Sequence, residues 1–264
     1  MDLADYRQSP RERARVADLL RLVPAELHAA LDVGARDGHL SQLLVDRVEQ
    51  VTALDLDRPV IDDPRIQCVK GNAASLEFSD ASFDLVLCAE VLEHIPVPTL
   101  ATSCAEMSRV SRRFVLLGVP FRQDIRLCRT TCHHCGGKSP PWGHVNTFDV
   151  PALADLFPDF VIATTSYVGQ AEKGTNALST WLMDLAGNPY GTYVQDEPCV
   201  HCGSALRAPE AMSIPQRALC KAALTVRALV NITRQRHANW VHVLMERRVS
   251  VTPRVINAST VPCQ

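Results

Sequence analysis

Long uncharged apolar runs are missing from this sequence of 264 residues. No run approaches the roughly 20 residues that a membrane-spanning helix needs. The acidic start, Met1-Asp2-Leu3-Ala4-Asp5, also lacks the apolar core of a secretory signal. We therefore expect a cytoplasmic protein without a membrane partner.

Long stretches of like charge are missing as well. The 27 basic and 29 acidic side chains give a formal net charge of -2 and form no extended single-sign run. No basic patch for a phosphate backbone is indicated, so we expect no nucleic-acid partner. With 47% hydrophobic and 21% charged residues, the chain is typical of one large globular domain, alone or with a small appendage.

A short apolar strand that leads into a glycine-containing turn is the first feature with functional content. The apolar run Ala29 to Val33 is typical of a buried parallel strand, and Gly34 and Gly38 lack the Cβ that blocks close approach of a ligand. A helix is predicted from Leu40 onward, with Leu40, Leu43, Leu44 and Val48 on one face. This pattern predicts the floor of a nucleotide-type cofactor site.

Further strands alternate with helices over the next 90 residues and end in polar residues. Asp55 closes the second strand (51–55), Gly71-Asn72-Ala73 follows the third (66–70), and Glu90 follows the fourth (82–89). A helix from Pro98 to Val110 and a fifth strand from Arg113 to Val119 complete the alternation. The pattern predicts an α/β fold, with ligands at the carboxyl ends of a doubly wound parallel sheet.

These residues resemble the class I S-adenosylmethionine-dependent methyltransferases, in particular the broad small-molecule group called type 11. The resemblance covers residues 29–120 and rests on five stretches: Asp32 to Gly38, Asp55, Gly71 to Ala73, Phe83 to His94, and Phe114 to Pro120. It implies a Rossmann-like, seven-stranded, mostly parallel sheet and S-adenosylmethionine as co-substrate. The implied cofactor-binding residues are Asp32, Gly34, Ala35, Gly38, Asp55, Leu56, Asn72, Ala73 and Glu90.

Within that set the resemblance implies three contacts. Gly34 and Gly38 would approach the methionine part, Asp55 the ribose hydroxyls, and Asn72 with Ala73 the adenine. Two residues depart from the family pattern, since Arg36 replaces the usual middle glycine and Asn72 the usual acid. A nicotinamide dehydrogenase is a weaker alternative, because its Gly-x-Gly-x-x-Gly fingerprint requires a glycine at position 36.

Cysteine is abundant, and the cysteines fall into two groups. Cys68, Cys88, Cys104 and Cys220 have apolar neighbours, whereas two Cys-x-x-Cys-Gly knuckles lie among loop residues. The knuckle residues Cys132, Cys135, Cys199 and Cys202 are the predicted ligands of one tetrahedral Zn²⁺ ion. Disulfides or free thiols are the alternative, and Cys128, His133, His134 or His201 could replace one ligand.

The position of the knuckles predicts a cap. In the resembled fold, Phe160 to Val168 is the sixth strand, and Asn239 to Arg248 is an antiparallel last strand beside the fifth. Both knuckles would then leave from the cofactor edge, where zinc would hold a lid over the substrate pocket. Helices at about Asn176 to Ala186 and Pro215 to Arg236 would complete the lid.

The expected organisation of the chain has six parts. They are a methyltransferase core with an N-terminal helix (1–126), the first zinc knuckle with a substrate loop (127–149), a core helix and sixth strand (150–169), a cap insert with the second knuckle (170–238), the last core strand (239–252) and a flexible tail (253–264).

A histidine is the candidate general base for methyl transfer. His144 follows the fifth strand in a loop expected to face the pocket, and Trp142 and Phe148 could line the acceptor site. The alternatives are that His144 braces the lid or binds zinc. His94 follows a structural corner of the family, and we expect a bracing role there.

The sequence thus predicts an enzyme that transfers a methyl group to a hydroxyl or amine of a small-molecule or sugar-derived metabolite. A structural zinc would hold its substrate lid, and the chain would be a monomer or homodimer. The alternative function is a catalytically inactive methyltransferase-like scaffold whose zinc ribbon binds protein or RNA.

Overall fold

A computed structural model of the protein describes residues 3–171 and 174–248. The expected flexible tail at 253–264 lies outside the described residues. The helices are α1 (Leu3–Gln8), α2 (Pro10–Arg21), α3 (His39–Leu44), α4 (Val97–Val110), α5 (Val150–Leu156), α6 (Ala177–Leu185) and α7 (Ile214–Asn231). The strands are β1 (Leu27–Val33), β2 (Val48–Asp55), β3 (Ile66–Lys70), β4 (Phe83–Ala89), β5 (Ser111–Pro120), β6 (Thr130–Thr131), β7 (Lys138–Ser139), β8 (Phe160–Val168) and β9 (Trp240–Arg247).

Seven strands form one sheet in the order β3-β2-β1-β4-β5-β9-β8, and β6 pairs with β7 in a separate hairpin. The strands β1 to β5 are mutually parallel, whereas β9 pairs antiparallel with both β5 and β8. The predicted seven-stranded, mostly parallel sheet is therefore confirmed. Because β1 to β5 run in one direction, their carboxyl ends meet at one edge, which we call the cofactor edge.

The predicted helix after the glycine turn is too long. We expected Val48 on its apolar face, but α3 ends at Leu44 and Val48 opens β2, where it pairs with Leu27. Pairing with β1 satisfies the Val48 backbone and buries its side chain against the sheet. Local periodicity cannot reveal this competition between helix extension and a neighbouring strand.

Helices cover both faces of the sheet and produce two apolar cores. One core contains Met107 of α4 and Leu153 of α5, and the other contains Leu19 of α2 and Leu44 of α3. Both faces of β4 are thus buried, as expected for a central parallel strand. Phe148, which we expected at the acceptor site, is only 4% exposed and belongs to the first core, so that prediction is wrong.

The segments after β5 and β8 pack against each other above the cofactor edge. Thr192 N–H donates to the Cys128 carbonyl at 2.8 Å, and Thr131 N–H donates to the Tyr193 hydroxyl at 3.0 Å. Arg129 on the first segment forms an ion pair with Asp184 on α6. None of the helices in the described ranges is long and apolar enough to cross a membrane.

The turn between β1 and α3 requires glycine at two positions. Gly34 and Gly38 have φ values of 80° and 79°, in the left-handed region that side chains disfavour. A Cβ on Gly34 would lie 2.2 Å from Val91 Cγ2, and a Cβ on Gly38 would lie 2.1 Å from Ile61 Cδ1. An added methyl group at either position would therefore force its neighbour to move.

A buried carboxyl group lies beneath this turn. Asp32 is 2% exposed, and the Ser41 hydroxyl donates to its Oδ2 at 2.6 Å, which links β1 to α3. Burial raises the pKa of Asp32 from 3.8 to about 6, the Ser41 hydrogen bond opposes this rise, and the nearby Asp55 charge adds to it. The charged form of Asp32 is therefore unfavourable in the folded protein.

Substitution of Gly34 by alanine is expected to destabilise the protein by more than the left-handed conformation alone costs, about 1–2 kcal/mol. The excess arises from the overlap with Val91. Urea unfolding measures it, with Gly136→Ala as control, because Gly136 has φ 70° and nothing within 4 Å of an added Cβ. In the Gly34→Ala background, Val91→Ala is expected to recover part of the loss. Equal losses for both glycine variants would contradict the packing argument.

Asp32→Asn is expected to change the pH dependence of stability. The folded state holds the Asp32 proton to higher pH than the unfolded state, so wild-type stability falls between about pH 4 and 6, by at most about 3 kcal/mol. Asparagine retains the acceptor for Ser41 and lacks this titration. The variant's stability relative to wild type should rise across that window in urea titrations, and a difference that stays flat from pH 4 to 6 would contradict the raised pKa of Asp32.

Candidate active site

The first polar group at the cofactor edge is the carboxylate of Asp55, at the end of β2. Its Oδ2 accepts the Arg36 N–H at 2.7 Å, and its Oδ1 accepts the Leu56 N–H at 2.6 Å. Arg36 has φ 51°, so the chain places a non-glycine residue in the left-handed conformation that glycine adopts more easily. Asp55 therefore bridges the glycine turn to β2 and stabilises that backbone.

The glycine turn offers fewer free donors than its sequence indicates. The N–H groups of Gly34 and Ala35 both donate to the Leu54 carbonyl, at 2.8 and 3.0 Å, and Gly38 N–H donates to the Ala35 carbonyl. β2 and the turn itself therefore use the N–H groups of these three residues. Leu56 is 65% exposed next to Asp55 and offers an apolar surface.

At the end of β3, Asn72 is engaged in its own turn. Its Oδ1 accepts the Ala74 N–H at 2.9 Å, and the Ser75 N–H donates to the Asn72 carbonyl. This amide oxygen, which we expected to accept from adenine, retains one lone pair for a ligand. Ala73 packs against the first core.

Glu90, at the end of β4, lies in a charged pocket under α2. Its Oε2 accepts from the Trp240 indole Nε1 at 3.1 Å, while its Oε1 is buried and lacks a hydrogen-bond partner in the described part of the chain. Arg15 on α2 is 5% exposed and forms an ion pair with Glu12, but its Nη1 is likewise buried and unpartnered. Burial raises the pKa of Glu90, and the Arg15 charge opposes that rise.

The sequence identified Glu90 and missed Arg15. Arginine at a buried position of an amphipathic helix is the signal that could have found it, because such residues are rarely buried unless they bind an anion. Glu90 Oε1 is thus a buried acceptor without a partner, and Arg15 Nη1 is a buried donor without one. A ligand with an ammonium and a carboxylate group would satisfy both.

Three further ligand-type side chains meet where the loop after β5 contacts the corner after β4. Val145 N–H and Asn146 N–H both donate to the Glu93 carbonyl, at 2.8 and 3.2 Å. The Asn146 amide donates to the carbonyls of Leu92 and Ile95, on either side of the corner. Glu93, His94 and His144 each offer one ligand atom within 4.8 Å of the others.

His144 lies beside the corner after β4, and its ring is largely enclosed. It is 7% exposed, its Nδ1 lies 2.5 Å from Gln123 Oε1, and its ring packs edge-on against His94 with centroids 4.6 Å apart. Burial lowers the pKa of His144 to about 3, and the neighbouring His94 adds to the effect. Such a ring stays neutral and is a weak proton acceptor in the absence of a ligand, so its role as general base stays a prediction.

The structure also brings the four knuckle cysteines together. The Sγ atoms of Cys132 and Cys202 are 3.7 Å apart, as are those of Cys135 and Cys199. Tetrahedral zinc with Zn–S bonds of about 2.3 Å requires S···S distances of about 3.8 Å. A disulfide requires about 2.05 Å, and these four cysteines are free thiols.

The two knuckles have the same backbone geometry. Gly136 N–H donates to the Cys132 carbonyl and Gly203 N–H to the Cys199 carbonyl, and both glycines have φ 70°. The Ser139 hydroxyl donates to Cys199 Sγ at 3.4 Å, which favours a thiolate at that position. The alternative ligands Cys128, His133, His134 and His201 are outside the cluster of four.

Part of this chain matches a known protein family. Residues 31–114 match a family model described as a methyltransferase domain. The ubiquinone biosynthesis O-methyltransferase of Xanthomonas axonopodis pv. citri is 34% identical over 110 residues, which is 36% of this chain and 44% of that protein. That of Xanthomonas campestris pv. campestris is 35% identical over 130 residues, 39% of this chain and 53% of the relative. The matches thus span about half the length of these relatives.

Solved structures extend the likeness to the whole sheet. The N-methyltransferase NodS of Bradyrhizobium japonicum in complex with S-adenosyl-L-homocysteine has a TM-score of 0.51 at 18% identity, over 62% of this chain and 83% of its own. A putative methyltransferase of Bacillus halodurans has a TM-score of 0.54 at 14% identity, over 88% of this chain and 97% of its own. Residues 31–114 of this chain therefore match a methyltransferase domain, and its seven-stranded sheet has the Rossmann-like fold of these solved methyltransferases.

Proposed function

We propose that this protein transfers the methyl group of S-adenosylmethionine to a hydroxyl or amine of a small-molecule or sugar-derived metabolite. The observation that carries the proposal is the arrangement at the cofactor edge, where the glycine turn, Asp55 and Glu90 follow neighbouring parallel strands. Relatives named for O-methylation and N-methylation support these two acceptor types.

The residues at the edge fit the cofactor. Asp55 lies where its carboxylate can accept from a ribose diol, and exposed Leu56 lies beside it for the adenine. The unpartnered Glu90 Oε1 and Arg15 Nη1 match the ammonium and carboxylate of the methionine part. When bound, the cofactor supplies a methyl group on a positively charged sulfur.

The protein's own contribution is mainly positional. In-line transfer needs the acceptor atom held against the methyl group and water excluded, and a hydroxyl or ammonium acceptor must also lose a proton. We assign the covering of the cofactor edge to α2 and to the segments around the two knuckles. His144 and His94, whose rings are in contact, are the candidate basic side chains of this site.

We also propose that Cys132, Cys135, Cys199 and Cys202 bind one structural Zn²⁺ ion. Four thiolates leave no open coordination position, so this ion would have no direct part in catalysis. It would join the loop after β5 to the insert after β8, in agreement with the S···S distances of 3.7 Å. The lid that selects the acceptor would then depend on the metal.

The protein with its zinc bound is expected to bind S-adenosylhomocysteine in isothermal titration calorimetry. Asp55→Ala should weaken this binding about 10- to 100-fold, because charge-assisted hydrogen bonds contribute about 1.5–3 kcal/mol. Asp57→Ala is the matched control, since Asp57 is fully exposed and pairs only loosely with Lys70, at 3.7 Å.

Two results would contradict the proposal. One is a lack of S-adenosylhomocysteine binding by folded, zinc-loaded protein, which would favour the inactive scaffold. The other is an equal effect of the Asp55 and Asp57 substitutions. Thermal melting of each variant separates loss of binding from loss of folding, because Asp55 also supports the glycine turn.

Purified protein dialysed against metal-free buffer is expected to retain about one zinc ion per chain. Cys135→Ser and Cys202→Ser should each lose that ion and lower the melting temperature, whereas Cys128→Ser, outside the cluster, should retain it. Elemental analysis and thermal melting give the two readouts. Full zinc retention in both knuckle variants would show that the ligand set is wrong.

A further inference from the structure

We propose that Glu93, His94 and His144 form a second metal site, which binds one divalent cation at the cofactor edge. The ligand atoms of the three side chains lie within 4.8 Å of one another. Ligands bound to one ion at about 2.1 Å each lie at most about 4.2 Å apart. Side-chain shifts of less than an ångström would therefore close the site.

The first argument is the carboxyl group of Glu93. It is 1% exposed, and neither oxygen has a hydrogen-bond partner from another residue in the described part of the chain. A buried carboxyl group without partners is costly to the fold, and a bound cation would remove that cost.

The second argument is the state of the His144 ring. Because Gln123 presents its Oε1 at 2.5 Å, His144 Nδ1 must carry the hydrogen, and the lone pair therefore lies on Nε2. Metal-binding histidines commonly donate their other N–H to such an oxygen, which fixes ring orientation and tautomer.

The third argument is that the backbone assembles the site before any metal binds. Glu93 and His94 belong to the corner after β4, and His144 to the loop after β5. The Asn146 amide and the N–H groups of Val145 and Asn146 donate to carbonyls of that corner and hold the two segments together. Four hydrogen bonds thus fix the relative position of the ligand-bearing segments.

The ligand set differs from that of the knuckles. Two imidazoles and one carboxylate favour a divalent transition metal or zinc, and three protein ligands leave positions open for a water or substrate oxygen. His94 is exposed, so those positions can face solvent. The knuckle site, by contrast, is closed by four thiols.

The role of the ion deepens the proposed function and rests on it. An acceptor hydroxyl bound to the ion would lose its proton to water more readily. The acceptor oxygen would then use its electron pair to form the new C–O bond as the S–C bond breaks and its electrons pass to the sulfur. The ion would neither be oxidised nor reduced, and the site would favour oxygen acceptors over amines.

The test is a titration of zinc-loaded, dialysed protein with Co²⁺. Calorimetry and visible absorption monitor the binding. We expect one additional equivalent to bind without a thiolate-to-cobalt absorption band, while the knuckle zinc is retained. Glu93→Gln and His94→Ala should each weaken cobalt binding at least about tenfold. His134→Ala, an exposed knuckle histidine outside the three-residue site, should leave it unchanged.

Absence of the extra cobalt equivalent, or equal binding in wild type and both ligand variants, would overturn the proposal. If Glu93→Gln fails to fold, His94→Ala decides the outcome, because an exposed side chain is not required for the core. Cobalt binding without S-adenosylhomocysteine binding would retain the metal site and refute methyl transfer. Cofactor binding without cobalt binding would refute only the metal site.

Discussion

The carbonyl oxygen of Glu93 accepts two N–H groups, from Val145 and Asn146, and this contact joins the two functional halves of the protein. On one side lies the parallel sheet with its cofactor edge, and on the other lies the loop that carries the first cysteine knuckle. Because the Asn146 amide adds two further hydrogen bonds, the corner after β4 cannot move independently of that loop. The position of that loop against the sheet depends on this connection.

Buried polar groups without partners concentrate at the same edge. Arg15, Glu90 and Glu93 each leave at least one buried atom unpaired, and Asp32 is buried close by with a raised pKa. Folded proteins rarely tolerate such groups unless a ligand or ion satisfies them. The fold thus carries an energetic cost at the cofactor edge that ligand binding would reduce.

Much of this fold follows from local patterns. The strands 66–70 and 160–168 have the predicted boundaries, because short apolar runs bounded by turn residues leave few alternatives. The extent of α3 was wrong, since pairing of Val48 with Leu27 outweighs helical periodicity. Phe148 was misplaced for a similar reason, because a loop aromatic can turn into the core as easily as toward a pocket.

The sequence by itself determined the alternation of strands and helices, the residues at the strand ends and the positions of the two cysteine knuckles, because each depends on neighbours within a few positions. Only the tertiary structure decided that the Leu54 carbonyl accepts the N–H groups of Gly34 and Ala35. It also decided that Arg15 lies buried near Glu90. It also brought His144 close to Glu93, although the two residues are 51 positions apart in the chain. Such contacts come from the packing of distant segments, which no local pattern records.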